Sequence, residues 1–477
     1  MKNFKKNIAL LAALACAGTM LAGCGGDTAE TTAAGDSGET TTAAGGETPA
    51  ADGGETTTQA EAAPATDVAD EDDTLTILTW ESNTDVQAQK KFFCAKHGID
   101  ESKINIVTCG ADGTAGRDGI QQYMQGSEDA DLFTMDADWT PMFINNDSLT
   151  IPYSEIGLAA TDFPDCYDYT IGYGTNEAGI FMAASFQAAP GGFVYRSDLA
   201  KEYLGVETPE AMQEKVKDWD AFKATAAELY TASGNKTSIT ATTAGLWQVY
   251  QCYRTQPWVK DGKFQLDTAE NFYDMIVEYK DNHYVADVPQ WDAAWYAAIQ
   301  DGTALGDFVP TWGLTASSGS ILSNFAGGAE SADNLAICQG PADWNWGGTY
   351  YGVSTRCNTK ATAKLWIETF CNDTASMKEY ALEVGDFVNS KTAMKEIIDA
   401  KSNSNPLLGG QDQFAILYDV AEGIDYTGKV SKYDSECKQA FNDSVSKLLK
   451  GEVADKAAAI DDCKKSVAAS CSGVVVE

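Results

Sequence analysis

Tryptophan and aspartate recur together at a few places in this chain where the surrounding pattern predicts loops rather than helices. Trp80 stands near Asn83 and Asp85, and Trp139 follows Asp136 and Asp138. Trp312 closes the run from Gly306, while Trp344 and Trp346 lie in Asp343-Trp344-Asn345-Trp346-Gly347-Gly348-Thr349-Tyr350, where glycines let backbone approach a ligand. Indole faces cover apolar C–H surface, and carboxylates or amides take polar protons. The combination suits a small molecule with apolar faces and a hydroxyl rim, such as a pyranose ring. It also suits an amine, through charge and cation–π attraction.

Covalent chemistry has no such signature. GxSxG, HExxH and a glycine-rich phosphate loop ending in Lys-Ser or Lys-Thr are all missing, so no enzyme is expected. A glycosidase pair could still hide among 70 acidic residues, which keeps a surface glycoside hydrolase as a further alternative. With only His97 and His283, a histidine-rich metal site is excluded, and neither metal nor cofactor is expected. Each candidate also has a plainer reading. Asp136 and Asp138 fit a turn or a helix cap, and a loop tryptophan can simply plug a core. Trp219, Trp291, Trp295 and Trp366 fall on helical segments and are expected to pack; Trp247 and Trp258 fall between the two classes.

The elements that must position these residues read as follows. Strands are predicted at 74–80, 103–108 and 131–135, with helices at 84–96 and near 117–125 between them. That alternation implies a parallel sheet with right-handed crossovers, whose ligands meet the loops at the carboxyl ends of the strands. Those loops carry Trp80, Asn83, Asp85, Asp136, Asp138 and Trp139. Further on, Ser197, Thr208 before Pro209, and Asp218 are expected to cap helices, and Asp267 with Glu270 resembles a capping box. Strands are expected at 306–312 and 350–354, and mostly helix over 364–400 and 433–469.

The beginning of the sequence speaks to location. Lys2, Lys5 and Lys6 precede an apolar run, Ile8 to Met20, too short for a comfortable membrane span. It closes on Leu21-Ala22-Gly23-Cys24, which resembles a bacterial lipobox; by that resemblance residues 1–23 are a signal peptide and Cys24 is lipidated. Residues 24–73 then read as a disordered acidic linker, with 13 acids, no Lys or Arg and no aromatic residue. The 404 residues from Thr74 are too many for one core and suggest two domains. A net charge of −37 repels nucleic acid and anionic headgroups but says little about a neutral ligand. Ten cysteines remain beyond Cys16 and Cys24, widely spaced and without CxxC. Disulfides and buried free thiols are equally compatible with that pattern in an exported chain.

The order of segments resembles the family 1 extracellular solute-binding proteins, the sugar-binding lipoproteins of ABC importers. The stretch 131–139 (DLFTMDADW) is similar to the family's strand and ligand loop, and 190–199 (PGGFVYRSDL) resembles its Gly-x-x-Tyr-Asn/Arg-x-Asp-Leu signature. Asp218-Trp219-Asp220-Ala221-Phe222 looks like its Thr-Trp-Asp-Glu-Phe helix start, and 299–313 its Gly-Lys-Ala-Ala-Met…Gly-x-Trp stretch. The resemblance implies a two-lobed α/β fold of the type II periplasmic-binding-protein kind with hinge crossovers. Lobe 1 would take 74–187 plus about 350–400, and lobe 2 would take 188–349 plus about 401–477. Trp312 would stack on a sugar, Trp346-Gly347-Gly348 would line the cleft, and Gln187 would face it. The implied function is capture of a carbohydrate, an oligosaccharide by its several tryptophans, and delivery to permease subunits. The protein would be a monomer held by Cys24 at the outer face of the cytoplasmic membrane, with a polyamine receptor on the same fold as the alternative. Asp307 departs from the family's alanine or methionine, and Cys338 and Cys357 flank the second crossover.

Overall fold

Runs such as Leu75–Thr79 pair because β-branched and bulky apolar side chains suit a sheet covered on both faces, and all five of these residues are buried. The computed structural model describes residues 63–477 except 112, 127, 128, 329 and 330. The expected signal peptide, Cys24 and the linker as far as residue 62 lie outside the described residues.

The first lobe starts with β1 (Leu75–Thr79), α1 (Asp85–His97), β2 (Ile104–Thr108), α2 (Gly113–Gln125) and β3 (Leu132–Asp136). As expected, β1 runs parallel to both β2 and β3. After α3 (Thr140–Ile144), β4 (Thr150–Ile151), α4 (Asp168–Tyr173) and β5 (Ala183–Ser185), the chain leaves this sheet.

The second lobe holds β6 (Gly191–Arg196), α5 (Ser197–Leu204), α6 (Pro209–Val216), α7 (Trp219–Ala232), β7 (Ser238–Thr240) and α8 (Thr243–Tyr250). A small hairpin of β8 (Val259–Lys260) and β9 (Lys263–Phe264) precedes α9 (Ala269–Asp281) and α10 (Ala293–Gln300). Then come β10 (Ala304–Pro310), α11 (Ile321–Phe325) and β11 (Leu335–Cys338). Its sheet has the order β11-β6-β10-β7.

The chain next returns as β12 (Thr349–Ser354), antiparallel to β3, giving the first sheet the order β2-β1-β3-β12-β4 with β5 also on β12. Two crossovers therefore join the sheets, Phe186–Pro190 and Gln339–Gly348, and they touch through a bridge between Pro190 and Asn345. Beyond them, α12 (Lys360–Cys371), α13 (Thr374–Val384) and α14 (Lys391–Asp399) cover the first lobe, where Trp366 and Phe370 meet Phe93. α15 (Gln413–Gly423) packs against both α14 and β6. Last, α16 (Asp434–Lys450) and α17 (Lys456–Ser470) close on the second lobe, with Phe441 set among Trp247, Trp258, Phe272 and Tyr273.

Several local expectations change. Thr208 and Asp218 do cap, accepting from Ala211 N at 3.3 Å and Ala221 N at 2.8 Å. Ser197 does not; its hydroxyl donates to the Asn334 carbonyl at 3.1 Å, and Arg196 takes the cap position. Asp267 forms no capping box because its carboxylate instead accepts from the Thr255 amide and hydroxyl. The linker also ends earlier than composition suggests. Ala65 donates to Ser154 O at 2.8 Å, and the Asp70 carboxylate accepts from Ala361 N and Thr362 N at 2.7 and 3.0 Å. It thereby satisfies exposed donors in the first turn of α12, a contact that composition alone cannot reveal.

Candidate binding site

The carboxyl ends of β1, β3 and β10 deliver their loops into one cleft of ≈ 980 Å³ between the two sheets. From the first lobe come Trp80, Asn83, Asp85, Asp136, Asp138 and Trp139. Trp312, Trp346, Gly348 and Gln187 come from the end of β10 and from the two crossovers. Trp80 and Trp139 meet edge to face at 5.2 Å, forming one aromatic wall.

The opposite wall has three indoles. Trp291 lies nearly parallel to Trp312 with centroids 6.2 Å apart and planes at 14°, and Trp346 is tilted against both, at 5.6 and 5.4 Å. Trp312 is fixed in place because its Nε1 donates to the Trp346 carbonyl at 2.9 Å. Trp291 sits at positive φ and is 51% exposed at the cleft. The sequence pattern places it in a packed helix; α10 begins two residues later, and Pro289 just ahead is the signal for a loop.

Polar groups line the same cleft. Asn83 and Trp139 are almost wholly buried, yet Asn83 Nδ2 and Trp139 Nε1 have no hydrogen-bond partner among the described residues. Burial pushes the Asp136 carboxyl up to about 7, and the neighbouring Asp138 charge adds to this; the Asp138 amide, donating at 2.9 Å, and the charge of Lys438 pull it back. Burial likewise pushes Asp85 up to about 7, helped by the charge of Asp386. Asp386 is held by Gln187, whose Nε2 donates to it. Asp138 is exposed and shares both oxygens with Lys438 Nζ at 2.9 Å.

Lys438 belongs to α16, and with Ser435, Gln439 and Asn442 it forms a polar stripe lining the cleft. A polar helix face reads from sequence as a solvated one, which is why sequence reasoning misses these residues. The same helix reaches the first lobe at the rim. Arg117 on α2 donates to Ser435 Oγ at 3.1 Å and lies 3.6 Å from Glu436, while Lys432 lies 3.4 Å from Glu177.

Two expected residues are placed elsewhere. Trp344 is fully buried inside the second lobe, edge-on to Phe308 at 5.9 Å, because Gly191 leaves room for its ring. A Cβ at Gly191 would lie 2.3 Å from that ring, so the Gly191-Gly192 pair serves packing at this point. Gly347 stands behind the lining: at φ +71 its Cβ would come within 2.9 Å of an Asp136 oxygen, so the missing side chain leaves that carboxyl its place. Asp307 is structural too. Fully buried, it accepts from Thr240, Thr242 and Trp295 Nε1 at 3.0, 2.9 and 2.7 Å, and burial pushes it up to about 6. Trp295 in turn meets Trp291 edge to face at 5.2 Å.

No protein-family model and no curated protein sequence matches the chain. Solved structures do. An extracellular solute-binding protein of family 1 superposes with TM-score 0.70 at 18% identity, covering 82% of this chain and 99% of that one. The fold is that of the family 1 extracellular solute-binding proteins. A binding protein associated with an ABC transporter of B. animalis subsp. lactis Bl-04, in complex with beta-1,6-galactobiose, shares this solute-binding fold with TM-score 0.63, 16% identity and coverage of 83% and 96%. So does the galacto-N-biose-/lacto-N-biose I-binding protein of an ABC transporter of Bifidobacterium longum, in complex with lacto-N-biose, with TM-score 0.61, 16% identity and coverage of 86% and 100%. Among the described residues, no helix is long and apolar enough to cross a membrane.

Proposed function

We propose that the cleft captures a carbohydrate of two or more rings and that the protein presents it to an ABC importer. The observation that carries this reading is that the exposed Trp291 and the half-buried Trp312 and Trp346 line one cleft with Asn83 and Trp139, whose Nδ2 and Nε1 have no partner among the described residues. Indole faces take the apolar faces of a sugar ring; buried donors without partners gain most from hydroxyl oxygens. A cleft of ≈ 980 Å³ lies at the upper end of small-molecule pockets, which supports more than one ring. Structural neighbours bound to galactobiose and lacto-N-biose support the same class. In this reading the protein binds and releases its ligand unchanged, and ligand contacts favour a closed arrangement of the lobes. Cys24 would carry the lipid that holds it at the outer face of the cytoplasmic membrane, with lobe 1 taking 74–187 and about 350–400.

A polyamine would need ionised carboxylates free to pair. Asp138 is already paired with Lys438, and Asp85 and Asp136 are held toward their neutral forms, which favours the uncharged ligand. The test is calorimetric titration with a panel of mono-, di- and oligosaccharides and with spermidine, with chromatography of each sugar afterwards. Binding of an intact di- or oligosaccharide is expected. Silence across the sugars, binding of spermidine alone, or cleavage of the bound sugar would overturn the proposal.

A further inference from the structure

The ten cysteines among the described residues are all free thiols, yet two of them face each other. Cys437, in the first turn of α16, and Cys471, capping the end of α17, have sulfurs 3.9 Å apart, and both are buried. A disulfide needs about 2.05 Å, so each sulfur must swing by roughly 1 Å to bond. Cys463 lies in the same region and is also buried, but it is engaged with the Tyr273 and Ser444 hydroxyls. The backbone around the pair is fixed on both sides. α16 and α17 pack along each other, and Phe441, one turn beyond Cys437, is locked into the aromatic cluster of the second lobe.

We infer that Cys437 and Cys471 are a disulfide-forming pair that staples the last helix to the beginning of α16. The oxidant is an external disulfide, RSSR, of an oxidoreductase or a small molecule. The thiolate of Cys471 or Cys437 attacks it, its S–S bond breaks, and one RSH leaves after taking a proton. The second protein thiolate then attacks the mixed disulfide, forming the Cys437–Cys471 bond and releasing a second RSH. Two thiols are oxidised and one external disulfide is reduced. The bond bears on the cleft because Cys437 sits between Glu436, 3.6 Å from Arg117, and Lys438, which grips Asp138. An oxidising compartment follows from the export reading, but the chemistry does not depend on which ligand is bound.

The test supplies the oxidant directly. The whole folded chain, purified reduced, is equilibrated with graded ratios of oxidised to reduced glutathione, quenched with acid, unfolded and alkylated. Peptide mapping by mass spectrometry is expected to show a Cys437–Cys471 crosslink two hydrogens lighter than the reduced peptides, with Cys463 alkylated. Reduction should lower the thermal midpoint by about 2–4 °C. A Cys463→Ser variant is expected to keep the crosslink, whereas Cys471→Ser should lose both crosslink and midpoint difference. Full alkylation of Cys437 and Cys471 at every ratio, or a crosslink from either to Cys463, would overturn the inference.

Discussion

Replacing Asp136 by asparagine tests the electrostatics of the cleft without any ligand. The folded protein raises this carboxyl from 3.8 to about 7, so it binds a proton more tightly than the unfolded chain does. Stability therefore falls as pH rises from about 4 through 7, and the penalty is fully present above 7. A shift of that size corresponds to at most about 4 kcal/mol. Because the side chain is partly exposed and Lys438 lies close, solvent and countercharge should reduce it to about 1–2 kcal/mol. The amide of the Asp136→Asn variant would carry no charge, and its oxygen could still accept from the Asp138 backbone N–H. The variant should therefore melt about 1–3 °C above the wild type at pH 8 and together with it near pH 4. Paired thermal melts across that range, without sugar, read the difference. A gain at pH 8 that persists undiminished at pH 4, or no gain at pH 8, would refute the assignment.

Other substitutions probe other links. Trp312→Ala removes an indole from the cleft wall together with its bond to the Trp346 carbonyl, and should weaken binding of whichever sugar titrates by about 10-fold or more in calorimetry, with a lower melting temperature as well. Gly191→Ala drives a methyl into the Trp344 ring and should cost about 1–3 kcal/mol in urea unfolding. Asp70→Ala strips the first turn of α12 of its carboxylate and should cost about 1 kcal/mol, with faster amide exchange at Ala361 and Thr362.

How much of this is legible in the sequence depends on how local its cause is. The parallel β2-β1-β3 arrangement is readable because short apolar runs alternate with helix-length segments. The loops bearing Trp80 and Trp139 follow from strand direction alone. Trp344 and Trp346 cannot be separated, because two residues apart in one loop they face opposite environments, and only the ring under Gly191 decides which is core. Trp291 escapes because it stands only two residues ahead of α10 and reads as part of that helix, although Pro289 marks the loop. The α16 stripe is hidden by distance: Lys438 and Asp138 stand 300 positions apart, and no local pattern announces their 2.9 Å contact.

That helix gives the molecule a particular order of completion. Both sheets are closed by Ser354, but one wall of the cleft is added only when residues 435–442 fold onto the second lobe. During synthesis, a chain with all its strands paired would still lack that wall until residues 435–442 dock. Mutations in the seam between α16 and α17, away from the cleft lining, therefore take down this wall while leaving both sheets intact.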